Sequence, residues 1–340
     1  MDSITQAALG ATVAGVIAGK RCNAKVLLAG ALLGTLPDLD VFIDYGDDIS
    51  NTVKHRGFSH SLLILLPFSL LLAGLFKRFK PLAGWSFSRL WFLIAASLIT
   101  HPLLDTFTSY GTQLLWPIAG YYSLSSVFII DPLYTLPLLI AIGVGLVKRP
   151  LLSRCCAIGL ILSSVYLGWT LFAKGLIENR AEASIAAVSI NADAVFITPT
   201  PLNTLLWRVV FLDGERYWEG LASVLDNQPN IEFIAQPKGQ WPLAVEPSEL
   251  TALQTFTHDF VRYDVQADDL VVSDLRLGMF GNLAFKFKFA ELGDNGKWQP
   301  ILPTRLPQGT TRGDMSKLRD RALGDQSINA SLDLCAAATC

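Results

Sequence analysis

The sequence predicts a multi-pass α-helical membrane domain followed by a β-rich extracytoplasmic domain, and three observations carry that reading. Charged residues make up 16% of the 340-residue chain, against roughly 25% in soluble proteins. The mean hydropathy is positive, at +0.41. The charge is also unevenly divided: residues 1–173 hold 12 Lys/Arg and 8 Asp/Glu, and the remaining 36 charged residues follow. The two halves are written for different solvents. A net charge of −2 supplies no basic face, so nucleic acid is not an expected partner.

Apolar runs at residues 57–76, 90–107, 127–147 and 155–173 each approach the roughly 20 residues that a helix needs to cross hydrocarbon. Two shorter runs, 4–19 and 26–36, flank the basic turn Lys20-Arg21-Cys22-Asn23-Ala24-Lys25 and read as thin spans or a re-entrant hairpin. No Lys or Arg precedes the first run, so it does not read as a cleaved secretory signal. Basic residues also gather at 77–89 and 148–154. Positive loops stay in the cytoplasm, which puts the loops 44–60 and 106–126, and everything after residue 174, outside the inner membrane. The expected domains are residues 1–175, 180–305 and a polar tail, 306–340.

Six potential ligands fall at the outer ends of these runs: Asp38 and Asp40 in Leu36-Pro37-Asp38-Leu39-Asp40, His55 and His60 around Arg56-Gly57-Phe58-Ser59, and His101 with Asp105. Ionisable groups beside hydrocarbon are costly unless paired or functional. His101 and Asp105, four apart, share one helix face at about 6 Å. His55 and His60 lie about 140° apart on an ideal helix and converge only if Gly57 breaks it. Asp38 and Asp40 follow a helix-ending proline in what reads as extended chain, with one expected as a ligand and the other as its support. Mixed imidazole and carboxylate donors suit zinc foremost, or manganese or iron. One or two divalent ions with an activated water make hydrolysis the natural reaction class. Asp40 and Arg56 are the candidate catalytic residues, Arg56 because a guanidinium can grip an anionic oxygen through two parallel hydrogen bonds.

These residues carry a resemblance. Met1-Asp2-Ser3-Ile4-Thr5-Gln6-Ala7-Ala8-Leu9-Gly10-Ala11, Pro37-Asp38-Leu39-Asp40, His55-Arg56-Gly57-Phe58-Ser59-His60-Ser61, and His101-Pro102-Leu103-Leu104-Asp105 followed by Tyr110-Gly111 resemble the YdjM-like membrane-bound metal-dependent hydrolases over about the first 145 residues. The resemblance implies kinship with zinc-dependent phospholipase C and P1-type nucleases, phosphoester hydrolysis, and metal ligands at Asp38, His55, His60, His101 and Asp105, with Asp40 a sixth. Two departures stand out. Many members have a histidine where this chain has Gln6, and Ala119-Gly120-Tyr121-Tyr122-Ser123 lacks a basic residue after Trp116-Pro117.

The expected partners are the bilayer and a lipid or lipid-linked phosphoester; the alternative is a divalent-metal transporter, or a metal-binding sensor or scaffold. Asp131, before Pro132, reads as a helix cap or as a partner of a ligand histidine. Cys155 and Cys156 read as packing residues, and Cys335 with Cys340 as a candidate disulfide on an oxidising side. After a connector at 173–183, short Val-, Phe- and Tyr-rich runs at 207–212, 217–224, 231–235, 260–265, 270–275 and 284–290 predict an antiparallel sheet. Asp213-Gly214 and Asn282-Leu283 read as turns, and His258 as a surface residue in a strand-like stretch. Phe285-Lys286-Phe287-Lys288-Phe289 alternates with the period of a strand.

Overall fold

The computed structural model describes residues 1–79, 84–188, 190–279, 282–307 and 315–332. Two compact units emerge. The first comprises Met1–Ile43, His55–Thr170 and Pro201–Asn203; the second comprises Asp44–Lys54, Leu171–Thr200 and the described residues from Thr204 onward. In chain order the first helices are α1 (Ser3–Ala18), α2 (Ala24–Thr35), α3 (Asp48–Lys54), α4 (Leu62–Phe79), α5 (Phe87–Asp105), α6 (Pro132–Val147) and α7 (Leu152–Ala187).

In the first unit α1 is apolar nearly all round, as a helix surrounded by others must be, and it packs against α2, α5 and α6. Asp2 caps it, its carboxylate accepting from the amides of Ile4 and Thr5. The α1–α2 pair approaches backbone to backbone. A Cβ added at Gly30 would lie 2.4 Å from the Gly10 carbonyl oxygen and 2.5 Å from the Ala14 Cβ. Within lipid, where apolar side chains gain nothing by leaving their surroundings, such small-residue contact is what holds helices together. Against α5, Leu65 and Ala73 of α4 bury Leu90, Leu93, Ile94 and Leu98, and the Trp91 indole donates to Ser69 Oγ at 3.0 Å.

Among the described residues, two helical stretches are long and apolar enough to cross a membrane: α5, and Arg149–Ala187, which is α7 with the 3-10 turn before it. A third qualifies if the bent pair Asp48–His60 and Leu62–Arg78 counts as one. Runs α1, α2 and α6 are shorter, at 16, 12 and 16 residues. The run expected from residue 127 starts late because Asp131 caps α6, accepting from the amides of Leu133 and Tyr134, with Pro132 at the first helical position. The run expected from residue 57 begins at Leu62, because the chain turns first.

The amphipathic connector expected at 173–183 is the continuation of helix α7. In the second unit this end of α7 buries Ala173, Ile177 and Ala181 against Ile197, Trp207, Val209, Ala222 and Ile231, a spacing of four that keeps one face turned inward. Two four-stranded antiparallel sheets follow. One has the order β1 (Ala194–Pro199), β2 (Leu206–Asp213), β3 (Arg216–Ser223), β4 (Phe233–Pro237). After helix α8 (Ser248–Thr257) come β5 (Val261–Gln266), β6 (Asp269–Asp274), the short pair β7 (Gly278–Met279) and β8 (Asn282–Leu283), β9 (Lys286–Leu292) and β10 (Trp298–Arg305). The second sheet has the order β10-β9-β6-β5.

The alternating stretch sits in β9, with Phe287 and Phe289 buried and Lys288 paired with Asp269 and Glu291. Asn282-Leu283 forms a strand rather than a turn. His258 is exposed, but it ends α8 in the left-handed conformation (φ 52°) instead of lying in a strand. The polar tail contains helix α9 (Met315–Ala322), whose Arg321 donates to Asp226 Oδ2 at 2.9 Å and to the Leu221 carbonyl at 2.8 Å. Cys156 is buried in packing. The expected Cys335–Cys340 pair lies outside the described residues.

Candidate metal centre

The centre is built from the C-terminal end of α5, the 3-10 helix Pro37–Phe42 that follows α2, and the turn between His55 and Ser61. The helical period of α5 puts His101 and Asp105 on one face, with His101 Nε2 3.5 Å from Asp105 Oδ2. His101 Nδ1 donates to the Gly34 carbonyl at 2.5 Å. That carbonyl lies in the last turn of α2, where the helix itself supplies no donor. With its proton on Nδ1, the ring turns the Nε2 lone pair inward.

His60 reaches the same state by another route. Ser59 Oγ donates to Asp40 Oδ2 at 2.7 Å and meets His60 Nδ1 at 2.9 Å. The hydroxyl hydrogen is committed to Asp40, so His60 Nδ1–H donates to Ser59 and Nε2 faces the cluster. The two Nε2 atoms lie 3.1 Å apart. Asp38 Oδ1 is 3.4 Å from His60 Nε2 and 3.3 Å from His101 Nε2, and Asp105 Oδ2 is 3.3 Å from His60 Nε2. A four-coordinate zinc with bonds of about 2.05 Å separates its donors by roughly 3.3 Å. Five of the six donor separations, at 3.1–3.5 Å, therefore match such a tetrahedron, and the four atoms all lie within 4.8 Å of one another. His60, His101 and Asp105 are fully buried, and Asp105 Oδ2 has no hydrogen-bond partner. Two lone pairs facing each other beside an unsatisfied buried carboxylate oxygen fit a cation.

The 3-10 helix also corrects the expectation for Asp38 and Asp40. The segment is not extended but a 3-10 helix, and the two diverge because residues two apart at three per turn point about 120° apart. Asp38 joins the tetrahedron. Asp40 faces the turn, where Oδ1 meets His55 Nδ1 at 2.9 Å and Oδ2 accepts the Arg56 amide at 3.0 Å as well as Ser59. Burial alone would raise both carboxyls. Hydrogen bonds from His55 and Ser59 outweigh this at Asp40 and hold it below the ordinary carboxylate range.

The break expected at Gly57 falls between His55 and Ser61, and the left-handed residue is Arg56 (φ 62°). This conformation is uncommon for a residue with a Cβ. It is fixed here by the Arg56 amide on Asp40 and the Arg56 carbonyl on the Gln113 amide, at 3.0 Å each. The guanidinium is tied down too. Nη1 donates to Thr108 Oγ1 at 3.1 Å, Cζ lies 5.0 Å from the Tyr110 ring centre, and Nε is 3.2 Å from Asp105 Oδ2 without hydrogen-bond alignment.

The sequence leaves open whether Gln6 joins the site, and the structure puts it there. Its Nε2 donates to Asp105 Oδ1 at 2.9 Å and to the His101 carbonyl at 3.3 Å, and the Met1 amino group also bonds Asp105 Oδ1. The departure from histidine at this position was the available signal. Asp131 bonds its own helix cap and the Tyr166 hydroxyl at 2.8 Å; burial pushes its carboxyl up. Trp116 meets Phe58 edge to face at 6.2 Å between ring centres.

Apolar helices, among them α5 of membrane-crossing length with a buried imidazole–carboxylate cluster at its end, define a membrane protein with a candidate metal centre. Residues 1–177 match the family model described as YdjM inner membrane protein, and the chain belongs to that family. It is 35% identical over 117 residues to the inner membrane protein YbcI of Escherichia coli (strain K12), covering 34% of this chain and 66% of that one. It is 23% identical over 229 residues to the uncharacterized protein YfhP of Bacillus subtilis (strain 168), covering 65% and 68%. The chain thus spans slightly less than two thirds of the Escherichia coli relative. No solved structure matches.

Proposed function

We propose that this protein is a membrane-bound metal-dependent hydrolase that cleaves a phosphoester in a lipid or lipid-linked substrate at the outer face of the inner membrane. The observation that carries the reading is the set of four donors, His60, His101, Asp38 and Asp105, spaced 3.1–3.5 Å along the five measured edges. A bound divalent ion with a coordination position left open would supply Lewis-acid polarisation of a phosphoryl oxygen and a water of lowered pKa. The chain's own contribution is to orient and exclude. Gly34 and Ser59 fix the two imidazole tautomers, Gln6 and Arg56 hold Asp105, and Asp40 holds the turn carrying His55 and His60.

The lipid assignment is supported by exposed apolar side chains on the ligand-bearing segments themselves: Leu39, Val41 and Phe42 beside Asp38 and Asp40, and Phe58 beside His60. Kinship with zinc-dependent phospholipase C and P1-type nucleases is part of this proposal, as is placement of the β-rich unit outside the cytoplasm. The rival reading, a metal sensor or scaffold, is favoured by one observation: four protein donors around one ion is the pattern of a structural site. The deciding experiment loads detergent-purified protein with zinc and offers it phosphodiester, phosphomonoester and carboxylic-ester lipids, with His101→Ala as the control. Phosphoester turnover lost in His101→Ala supports the hydrolase. Full zinc occupancy without turnover of any substrate overturns it in favour of the sensor or scaffold.

A further inference from the structure

We infer that the chain holds two divalent cations with unequal grip, and that the second, bound by Asp38, Asp40 and His55, is the exchangeable one with coordination positions open to solvent. The inference rests on the four-donor centre of the proposed function and divides the labour within it.

Two donor groups share one residue. His60, His101, Asp38 and Asp105 form the first, and Asp38, Asp40 and His55 the second; within each group the ligand atoms lie within 4.8 Å of one another. The first group is complete. Four protein donors at tetrahedral spacing leave an ion no vacant position, and three of them are sealed from solvent. The second group offers only three protein donors, which is the count that leaves a position for water. It is also wetter, with side-chain exposures of 24% for His55 and 23% for Asp38. Asp38 Oδ1 faces the two buried imidazoles, and its other oxygen is the one left to link the groups.

Charge and hydrogen bonding set the order of filling. Asp38, Asp40 and Asp105 bring three negative charges, and Arg56 brings one positive. The first dication takes the site from −2 to 0, so the second enters without that net attraction and against repulsion from an ion a few ångströms away. It must also displace the 2.9 Å contact between His55 Nδ1 and Asp40 Oδ1, whereas the first enters beside Asp105 Oδ2, which has no hydrogen-bond partner among the described residues. With both ions bound the site carries a net charge of +2, which suits an anionic phosphoryl group.

The test titrates Co2+ into chelator-stripped, detergent-purified full chain, reading the visible d–d absorption and the bound stoichiometry. The first equivalent should give the intense absorption of four-coordinate Co2+. The second should give the weak absorption of a higher-coordinate ion, bind at least about tenfold more weakly, and leave on desalting. His55→Ala should lose the second equivalent and keep the first, whose retained spectrum shows that the variant is folded. A wild-type chain that binds one equivalent keeps the four-donor centre and overturns the second site. Two equivalents of matched affinity, or loss of both in His55→Ala, overturns the division. No uptake at all means that the four-donor centre itself has failed.

Discussion

Asp105 has two oxygens with different duties, and the residues around it are where single substitutions are most informative. Oδ1 is taken by Gln6 and the Met1 amino group, while Oδ2 faces the imidazoles. Gln6→Leu removes a support of a ligand, and losses of this kind cost about 10–100-fold in metal affinity; competition against a chromophoric chelator should show a drop of that size. His101→Ala removes a donor, so metal analysis should find the tight ion gone while the protein still fractionates with membranes. Asp131 is the contrasting case. Asp131→Ala should destabilise by roughly 1 kcal/mol through the lost cap, Asp131→Asn by much less, and neither should change bound metal. The His101–Asp105 pair was legible because helical period alone puts residues four apart on one face. Gln6 was legible only as a departure from the histidine of its family, which marked the position without naming its partner ninety-nine positions away.

At the scale of elements, the α1–α2 contact couples packing to chemistry. Gly34 lies four residues beyond Gly30, and its carbonyl fixes the His101 tautomer. Gly30→Leu has no room against Gly10 and Ala14, so the helices must separate. Overpacking costs typically 1–3 kcal/mol, and the variant should show both a lower unfolding temperature in detergent and reduced metal content. The apolar runs announced their helices, but not where they start: Asp131 and the turn at His55–Ser61 set those starts through hydrogen bonds that hydropathy does not record. The β-rich character was legible from alternation, whereas β1 and β10 were missed. β10 contains Pro300 and Pro303, which argue against a central strand, and it lies at the edge of its sheet, where a missing amide donor costs little. Helix α8 was missed too, for lack of a long periodic run.

For the whole molecule, the charge partition of the sequence corresponds to a helical first part and a β-rich second part. The side of the membrane that each occupies is a proposal resting on the basic loops. Protease added to intact spheroplasts should degrade the β-rich unit and leave the first unit's basic turns protected; protection of the β-rich unit would reverse the assignment and place the metal centre in the cytoplasm.

The engagement of Asp105 Oδ1 also bears on which element the cell can deliver to this protein. A carboxylate with one oxygen already spoken for binds through the other alone, and two ring nitrogens fill half of a small cage. Magnesium and calcium ask for six or more oxygens, so even their great abundance leaves them poor competitors here, and occupancy follows the supply of scarcer, nitrogen-loving ions.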